Sequence, residues 1–366
     1  MRLLEDGQRI GDTYEVERFL GEGAFAEVYR VHHHILGRQA IKVFKRAGTA
    51  EETKAMLGEA ILLTQIGHPN IVRVFDANTV STAHGTRGYF TMEYVAGGNL
   101  QSFWASHRNR FVPIDDSVRI LHQISEGLGV AHSARPAVIH RDLTPQNVLV
   151  GYDHDGLRAR ISDFGLAKRV NPMTMLASTK GTLAFKAPES LLNKRGDSRA
   201  GDVWAIGAIA YLLLTDTLPY EDRGPMSYFG TQRRVPPRPP HEFNADVDDE
   251  LDRMVLRALD PDPATRTRDA GALAGELADW LAGWDRQRAK QAVNPTLQTS
   301  KSVLGAPSPA NETEADRLAE QAKSLARQAT SLPEAADLME EAFNKSPELR
   351  TEYEQRLRLW RKGVLA

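Results

Sequence analysis

A glycine-rich turn between two strand-like segments is the first feature of the sequence that could do chemistry. Residues 20–28 read LGEGAFAEV, with Gly21 and Gly23 at the centre. Because glycine carries no Cβ, backbone amides in such a turn can approach phosphate oxygens closely. An ordinary tight hairpin is the alternative interpretation. The turn lies between two strands rather than between a strand and a helix, which argues against a dinucleotide-binding fold.

A lysine lies inside the strand pattern that follows. Residues 39–44 read QAIKVF, so Ala40 and Lys42 share one face of the predicted strand. Apolar residues at helical spacing then predict a helix over about 49–66. This helix contains Glu59, whose carboxylate could pair with Lys42. A solvated, outward-pointing lysine is the alternative.

Polar residues are densest in two loops further along the chain. Residues 138–150 read VIHRDLTPQNVLV, which places Asp142 and Asn147 in a loop between a helix and an apolar strand. The segment ISDFG follows and puts the carboxylate of Asp163 at the end of a strand, and APE follows at 187–189.

Taken in order, GEGAFAEV, AIK, HRDLTPQN, DFG and APE resemble the motifs of the eukaryotic-type (Hanks-type) protein kinase family. The resemblance covers roughly residues 12–281 and is closest to soluble or detached bacterial serine/threonine kinases. It implies an α+β fold with a small β-rich N-lobe and a large helical C-lobe. It also implies transfer of the γ-phosphate of ATP to a protein hydroxyl with Mg²⁺ as cofactor. A small-molecule kinase is an alternative, although a long segment ending in APE suits peptide docking.

The resemblance gives each polar residue of these motifs a role. Asp142 would accept the proton of the acceptor hydroxyl and position that hydroxyl. Lys42 would hold the α- and β-phosphates with Glu59 orienting it, and Asn147 and Asp163 would bind Mg²⁺. A loose phosphoryl transition state leaves little covalent work to the protein, so the site must supply positive charge, hard oxygen ligands and alignment.

The resemblance also implies an ATP pocket. Residues 92–99, MEYVAGGN, match the hinge whose backbone pairs with adenine, and Asn99 matches a ribose contact. Val28, Ala40 and Leu149 match the positions that sandwich the base, and simple core packing is an alternative that is compatible with this role. The full predicted set of ATP contacts is Leu20, Gly21, Glu22, Gly23, Ala24, Phe25, Ala26, Val28, Ala40, Lys42, Met92, Glu93, Val95, Asn99 and Leu149.

Position 144 departs from the family pattern. Serine/threonine kinases usually carry a lysine two residues after the catalytic aspartate, where it touches the transferring phosphate, and this chain has Thr144. Loss of such a charge can cost about 10²–10³ in rate. Three outcomes stay open: a slow kinase, a kinase completed by Lys168 or Lys180, or a signalling scaffold that acts through its C-terminal tail without transferring phosphate.

The segment before APE predicts acceptor type and regulation. Thr182 matches a contact to the catalytic aspartate that indicates Ser/Thr rather than Tyr acceptors. Lys186 replaces an apolar residue, and we expect it to point outward, with selection of an acidic neighbour in the substrate as the alternative. Arg141 matches an arginine that pairs with a phosphate on the activation segment, which here runs from Asp163 to Glu189. The candidate autophosphorylation sites are Thr174, Ser178 and Thr179.

Two further matches indicate structural roles. Asp202 begins an apolar helix and matches the aspartate that braces the catalytic loop. Arg266, in the run DPDPATR, matches the arginine that pairs with the glutamate of APE, Glu189.

The strand-like, helical and non-periodic patterns of the sequence divide the chain into four predicted parts. These are a kinase N-lobe over 12–98, a C-lobe over 99–285, a flexible linker over 286–311 and a helical segment over 312–366. The spacings Asn311/Glu314, Ser331/Glu334 and Ser346/Glu348 predict three helix starts in the last segment. Its final helix would bury Leu349, Tyr353, Leu357 and Trp360. This tail is either a solvated appendage or a docking element, for a partner or for the kinase lobes themselves.

Composition limits the class of protein. The 366 residues contain 46 Lys and Arg against 48 Asp and Glu. The chain therefore lacks the excess of basic residues that would suggest a nucleic-acid partner. Cysteine is absent, which excludes disulfides and thiolate zinc sites. The longest apolar run, 203–214, is far short of the roughly 20 residues of a spanning helix. The first residues resemble no secretory signal. We therefore expect a cytoplasmic enzyme acting on protein substrates.

Overall fold

The small lobe is built on one antiparallel sheet with the strand order β1-β2-β3-β4-β6-β5. Its strands are β1 (Arg9–Ile10), β2 (Tyr14–Glu22), β3 (Ala26–His33), β4 (Gly37–Ala47), β5 (Val74–Thr82) and β6 (Gly85–Glu93). Helix α1 (Ala50–Met56) follows β4. The computed structural model describes residues 2–56, 58, 61, 64, 67–107, 111–153, 155–164, 182–192, 198–220, 237–293, 309–346 and 348–365.

The period-two alternation of β4 sorts its side chains onto two faces of the sheet. Ile41 and Val43 are fully buried in the cluster on one face. Ala40 lies in a second cluster on the other face, as the alternation predicts. The first cluster also contains Leu3 and Leu4, so residues before the predicted start at 12 pack into this lobe.

The large lobe is mainly helical. Its helices are α2 (Leu100–Ala105), α3 (Ile114–Ser133), α4 (Pro188–Leu192), α5 (Arg199–Thr215), α6 (Asp249–Ala258) and α7 (Ala270–Val293). Helix α5 is buried from Asp202 to Thr215, which fits its apolar character on all faces. Helices α3 and α7 cross so closely that a Cβ on Gly129 would lie 3.0 Å from the Cα of Gly271.

A two-stranded hairpin, β7 (Val148–Asp153) and β8 (Gly156–Ile161), lies between helix α3 and the segment that connects the lobes, residues 94–99. Its strands are antiparallel, and Val148 pairs with Ile161. The backbone N–H of Val150 donates to the carbonyl of Gly98 at 2.9 Å, which ties the hairpin to the connecting segment. The loop before β7 and the loop after β8, which leave the hairpin at the same end, carry the residues of the HRD and DFG motifs.

Three helices form a C-terminal unit: α8 (Pro309–Leu325), α9 (Leu332–Lys345) and α10 (Glu348–Arg361). Tyr353, Leu357 and Trp360 of α10 are buried as predicted, and Leu349 is partly buried. Their hydrophobic cluster also includes Tyr152 of β7, so this unit shares a core with the large lobe. Within the described ranges, every helix is too short or too polar to cross a bilayer.

The helix boundaries at the predicted linker differ from expectation. Helix α7 continues through 286–293, and Arg288 of that part pairs with Asp115 of α3, with Nη1 and Oδ2 2.6 Å apart. Helix α8 begins at Pro309, so Asn311 lies inside its first turn rather than before it. Ser331 precedes α9 without a side-chain capping hydrogen bond. The residues between, 294–308, lie outside the described residues.

Candidate active site

A buried aspartate holds the backbone of the catalytic loop. Asp202, at the start of α5, is 2% exposed. Its carboxylate accepts hydrogen bonds from the backbone N–H groups of His140 at 2.8 Å and Arg141 at 2.9 Å. Burial acts to raise the pKa of Asp202, but the hydrogen bond and charge of His132 outweigh it and the pKa lies below its ordinary value. The predicted bracing role of Asp202 is confirmed.

Two residues of the site have left-handed backbone conformations. Arg141 has a φ of 70° and Asp163 a φ of 65°. A non-glycine residue in this region costs roughly 1–2 kcal/mol, and such strain clusters at functional sites. The fully buried ring of His140 joins the two segments, because its Nε2 lies 2.8 Å from the carbonyl oxygen of Ser162. The conformations of the two loops are therefore fixed together.

Asp142 presents its carboxylate at the tip of the catalytic loop. Its backbone N–H donates to Nδ1 of His140 at 3.3 Å, and its carbonyl accepts from the side-chain amide of Asn147 at 2.7 Å. The side chain is 35% exposed. A carboxylate held this way on a fixed backbone, and open to solvent, can receive a proton from an incoming hydroxyl group.

Asn147 and Asp163 offer oxygen ligands of the kind that Mg²⁺ prefers. The amide nitrogen of Asn147 is engaged with Asp142, so its amide oxygen is the atom that can serve as a ligand. Among the described residues, Oδ1 of Asp163 is buried without a hydrogen-bond partner, which is costly unless a cation fills that role. The carbonyl of Asn147 accepts from the backbone N–H of Ser162 at 2.8 Å, which holds the two segments side by side. The donor set fits Mg²⁺.

Lys42 reaches across from the small lobe to this carboxylate. Its Nζ lies 2.7 Å from Oδ2 of Asp163, and the two side chains are only 16% and 17% exposed. This contact contradicts the alternative of an ordinary solvated lysine. Glu59, the predicted partner of Lys42, lies outside the described residues.

The residues predicted to sandwich adenine share one apolar cluster. Ala40 is buried there, and Val28 and Leu149 pack against it. Met92 belongs to the same cluster. The Oδ1 atom of Asn99 accepts the backbone N–H of Ser102 at 2.9 Å and caps α2, a local role that the motif did not reveal.

The glycine-rich segment forms a tight hairpin between β2 and β3. The N–H of Gly23 donates to the carbonyl of Ala26 at 2.8 Å, and Phe25 at its tip is 44% exposed. Ala26, which replaces the third glycine, is the buried first residue of β3. The remaining predicted contacts lie on or beside this turn or near the start of the connecting segment: Leu20, Gly21, Glu22, Ala24, Glu93 and Val95.

Lys186 does not point outward, and that expectation is wrong. Its side chain is 14% exposed, and its Nζ lies 2.9 Å from Oδ1 of Asp142 and donates to the carbonyl of Arg141. The flanking Phe185 and Ala187 are buried in the core of the large lobe, and the polar groups of the catalytic loop attract the ammonium group between them. A signal was present in the sequence: the chain lacks a lysine at 144 and gains one at 186.

Only part of the remaining activation segment lies within the described residues. The backbone at Thr182 begins a short 3-10 helix, Thr182–Phe185. Residues 165–181 lie outside the described residues, and they include Lys168, Lys180 and the candidate phosphorylation sites Thr174, Ser178 and Thr179.

An ion pair with a buried arginine lies at the end of the activation segment, at Glu189. Arg266 donates to Glu189 through two bonds, Nη1 to Oε1 at 2.7 Å and Nη2 to Oε2 at 3.1 Å. The side chain of Arg266 is fully buried, with its guanidinium 5.0 Å from the ring centre of Trp204. The predicted pairing is confirmed.

Comparison with known proteins gives the protein kinase family that the sequence motifs resemble. The family model "Protein kinase domain" matches residues 14–276. The chain is 34% identical over 267 residues to CBL-interacting protein kinase 4 of Oryza sativa, covering 71% of this chain and 56% of that one. It is 30% identical over 278 residues to serine/threonine-protein kinase PknB of Mycolicibacterium smegmatis, covering 74% and 43%.

A solved kinase-domain structure of PknI from Mycobacterium tuberculosis matches with a TM-score of 0.55 and 24% identity, covering 75% of this chain and 98% of that one. The chain therefore belongs to the protein kinase domain family, and the predicted two-lobed α+β fold is confirmed. It spans about half the length of these curated relatives. The family match ends at residue 276, before the C-terminal unit.

Proposed function

We propose that the chain is an ATP- and Mg²⁺-dependent protein kinase that phosphorylates serine or threonine hydroxyl groups. The observation that carries this proposal is that Lys42, Asp142, Asn147 and Asp163 are linked in one site by direct contacts between side chains and loops. The bacterial relatives carry the name serine/threonine-protein kinase, which supports the same activity.

In the proposed reaction Asp142 positions the acceptor hydroxyl and takes up its proton. The hydroxyl oxygen forms a bond to the γ-phosphorus, the bond from that phosphorus to the β,γ-bridging oxygen breaks, and ADP leaves with those electrons. Lys42 would hold the α- and β-phosphates beside Asp163. Mg²⁺, when bound through Asn147 and Asp163, supplies positive charge to the phosphate oxygens. Most of the work of the protein is alignment and charge stabilisation.

The nucleotide would lie between the small lobe and β7. We assign the adenine walls to Val28, Ala40 and Leu149, and the phosphate cover to the hairpin at Gly21 and Gly23. The shared apolar cluster and the backbone amides of the hairpin support these assignments. Asn99 would contact ribose only through groups that its capping bond leaves available.

A transfer assay tests the proposal. The full chain is incubated with γ-labelled ATP, Mg²⁺ and a generic protein acceptor, beside Asp142→Asn and Asp163→Ala. We expect label on serine or threonine with the wild type and at least a 10²-fold loss in both variants. Label that persists in both variants would refute the site assignment. A wild type that binds nucleotide without transferring phosphate would favour the scaffold alternative.

We also propose autophosphorylation at one or more of Thr174, Ser178 and Thr179. The support is Arg141, which lies beside the catalytic aspartate at the position that pairs with an activation-segment phosphate in the family. Mass spectrometry of fully active protein should find phosphate in this segment. An unmodified segment in such protein would contradict the proposal. The cytoplasmic location and the lack of a nucleic-acid partner stay predictions.

For the tail, we propose docking on the kinase lobes of the same chain. On the small-lobe side, arginines from three neighbouring strands meet carboxylates of α9. Arg38 Nη2 lies 2.8 Å from Glu334 Oε1. Glu341 Oε1 lies 2.5 Å from Arg18 Nη2 and 3.2 Å from Arg30 Nη1. Single exposed ion pairs contribute little, but several charges that form a network contribute more.

The same helix contacts the segment that connects the lobes. The hydroxyl of Tyr94 donates to Glu341 at 3.0 Å, and the amide of Asn344 donates to the carbonyl of Gly97 at 2.6 Å. Burial and the charge of Glu341 raise the pKa of Tyr94 to about 12, so this hydroxyl remains a donor.

On the large-lobe side the contacts are mainly apolar and aromatic. Phe343 packs edge-on against Tyr152, with ring centres 6.2 Å apart. The guanidinium of Arg350 lies 4.3 Å from the ring centre of Phe103 in α2. One helical unit thus contacts both lobes and the segment between them, and we infer that it limits their relative motion.

Charge reversal at Arg38 tests this role in the full chain. We expect Arg38→Glu to loosen the unit and to change the KM for ATP several-fold, because ATP would bind between the lobes. The matched control is Arg268→Glu, whose side chain is 84% exposed and remote from the unit. An unchanged KM together with increased proteolysis of the tail would refute a role in lobe orientation. A partner that displaces the tail would support docking as a switch.

A further inference from the structure

Position 144 leaves a gap in the positive charge of the catalytic loop. Thr144 is 6% exposed, and its carbonyl accepts the backbone N–H of Asn147 at 3.0 Å. It supports the loop but offers no cation to a phosphate. The transition state of phosphoryl transfer carries negative charge on its peripheral oxygens, so a missing cation should slow the reaction.

Lys186, in the segment that ends at Glu189, brings a cation to the catalytic loop. Its Nζ lies 2.9 Å from Oδ1 of Asp142. The carboxylate of Asp142 is the group that would hold the acceptor hydroxyl. Lys186 and Asp142 therefore form an ion pair between the activation segment and the catalytic loop. Lys42 is paired with Asp163 and Arg266 with Glu189, so these two cations already have other carboxylates.

Contacts with the catalytic loop hold the ammonium group of Lys186 in place. It also donates to the carbonyl of Arg141, and the backbone N–H of Lys186 donates to the carbonyl of Leu183 at 3.2 Å. Ala184 and Ala187 are buried on either side. The lysine therefore starts from a fixed backbone, which lowers the entropy lost when it engages a substrate.

We propose that Lys186 supplies to the transferring phosphoryl group the positive charge that position 144 lacks. This inference rests on the proposed kinase activity. When Asp142 receives the acceptor hydroxyl, an ammonium group beside the same carboxylate is within reach of the oxygens that exchange the phosphoryl group. Lys186 keeps its proton throughout; the hydroxyl proton goes to Asp142 and ADP leaves. Because Lys186 belongs to the activation segment, the position of that segment would then control the charge of the site.

The opposite role is a lock. A lysine that pairs with the catalytic carboxylate could simply occupy it and block the hydroxyl. The two roles predict opposite signs: removal of a catalytic cation lowers kcat, whereas removal of a lock raises it.

The absence of cysteine from the chain allows a sharp test. Lys186→Cys can be alkylated selectively with 2-bromoethylamine, which restores an ammonium group on a side chain of nearly lysine length. Iodoacetamide adds a neutral group at the same atom. We expect kcat to fall about 10²–10³-fold in Lys186→Cys, with the KM for ATP within twofold. Aminoethylation should restore most of kcat and carbamidomethylation should not. Lys362→Cys, exposed at the end of α10, controls for the reagents.

A binding measurement separates the catalytic role from a structural one. Catalysis requires tighter binding of the transition state than of the ground state. Lys186→Cys should therefore weaken binding of ADP with aluminium fluoride at least tenfold, while a non-hydrolysable ATP analogue binds as in the wild type. Thr144→Lys added to Lys186→Cys should recover part of kcat, since it returns a cation to the same phosphoryl group.

The outcomes that overturn the inference are distinct. An unchanged or increased kcat in Lys186→Cys, or equal restoration by both reagents, refutes it. If the cysteine variant does not fold, Lys186→Met keeps the straight apolar stem and is judged by the same kcat and binding criteria. A wild type without transfer refutes the proposed function and this inference together, whereas an active wild type with unaffected variants refutes only the inference.

Discussion

Lys42 Nζ lies 2.7 Å from Oδ2 of Asp163, a residue 121 positions further along the chain. The contact joins β4 of the small lobe to the segment that directly follows β8. It places a cation beside a carboxylate whose other oxygen has no hydrogen-bond partner among the described residues. The two lobes therefore meet at the pair of side chains that would handle the phosphates and the metal ion.

Replacement of Lys42 should abolish most of the transfer activity. Lys42→Met removes the cation at the phosphates and leaves a buried carboxylate unpaired, so we expect kcat/KM to fall at least about 10²-fold. Lys54→Met, on the exposed side of α1, should stay within twofold of the wild type. Steady-state transfer from labelled ATP measures both. Similar losses in the two variants would argue against a specific role for Lys42.

The buried pair of Arg266 and Glu189 should dominate the stability of the large lobe. Arg266→Ala leaves the Glu189 charge without its partner and should reduce the free energy of unfolding by about 3–5 kcal/mol. Arg268→Ala, only two residues away but 84% exposed, should change it by less than about 0.5 kcal/mol. Urea denaturation of the two variants gives the comparison, and equal midpoints would contradict the account.

The backbone at Gly97 has no room for a side chain. A Cβ there would lie 2.2 Å from the carbonyl oxygen of Val150, which is itself backbone and cannot move aside easily. Gly97→Ala should therefore strongly lower the melting temperature and loosen the contact between the connecting segment and β7. Gly275→Ala in helix α7, where a Cβ meets nothing within 4 Å, should stabilise the protein by up to about 1 kcal/mol. A Gly97→Ala variant as stable as the wild type would disprove this packing.

The packing of the C-terminal unit should depend on pH through Glu340. Burial raises the pKa of this carboxyl to about 7, although Arg361 beside it acts in the other direction. Asp337 and the backbone N–H of Tyr152 also face it. Since the folded chain binds this proton more tightly than the unfolded chain, the contribution to stability is complete below about pH 4.5 and is lost as pH rises to about 7.

Glu340→Gln should flatten this part of the stability profile. The difference in unfolding free energy between wild type and variant, measured from pH 4.5 to 8, should change by up to about 3 kcal/mol. Glu320→Gln, whose parent side chain is 71% exposed, provides the matched control and should run parallel to the wild type. A Glu340→Gln curve parallel to the wild type as well would show that Glu340 does not titrate as argued.

Most of the candidate site could be located from the sequence because its chemistry restricts residue types. Asp142, Asn147 and Asp163 stand in short motifs with fixed order, and strand alternation predicts the shared face of Ala40 and Lys42. The strained backbone at Asp163 could not be predicted from residue type alone, because only a small fraction of aspartates adopt positive φ and tertiary contacts decide which ones do.

The direction of Lys186 and the docking of the tail depend on contacts between distant segments. Lys186 lies in an irregular segment where no periodicity defines a face. The contact of Glu341 with Arg18 and Arg30 joins residues more than 300 positions apart, and no local pattern encodes it. Local rules did predict the buried face of α10, because helical spacing alone selects Tyr353 and Leu357.

The most direct test of the central claim is a crystal structure of the full chain with Mg²⁺ and a non-hydrolysable ATP analogue. We predict metal density bound by the Asn147 amide oxygen and the Asp163 carboxylate, with Lys42 on the α- and β-phosphates and Asp142 open toward the γ-phosphate. A cleft without nucleotide at saturating concentration, or a nucleotide whose metal ions avoid Asn147 and Asp163, would contradict the account.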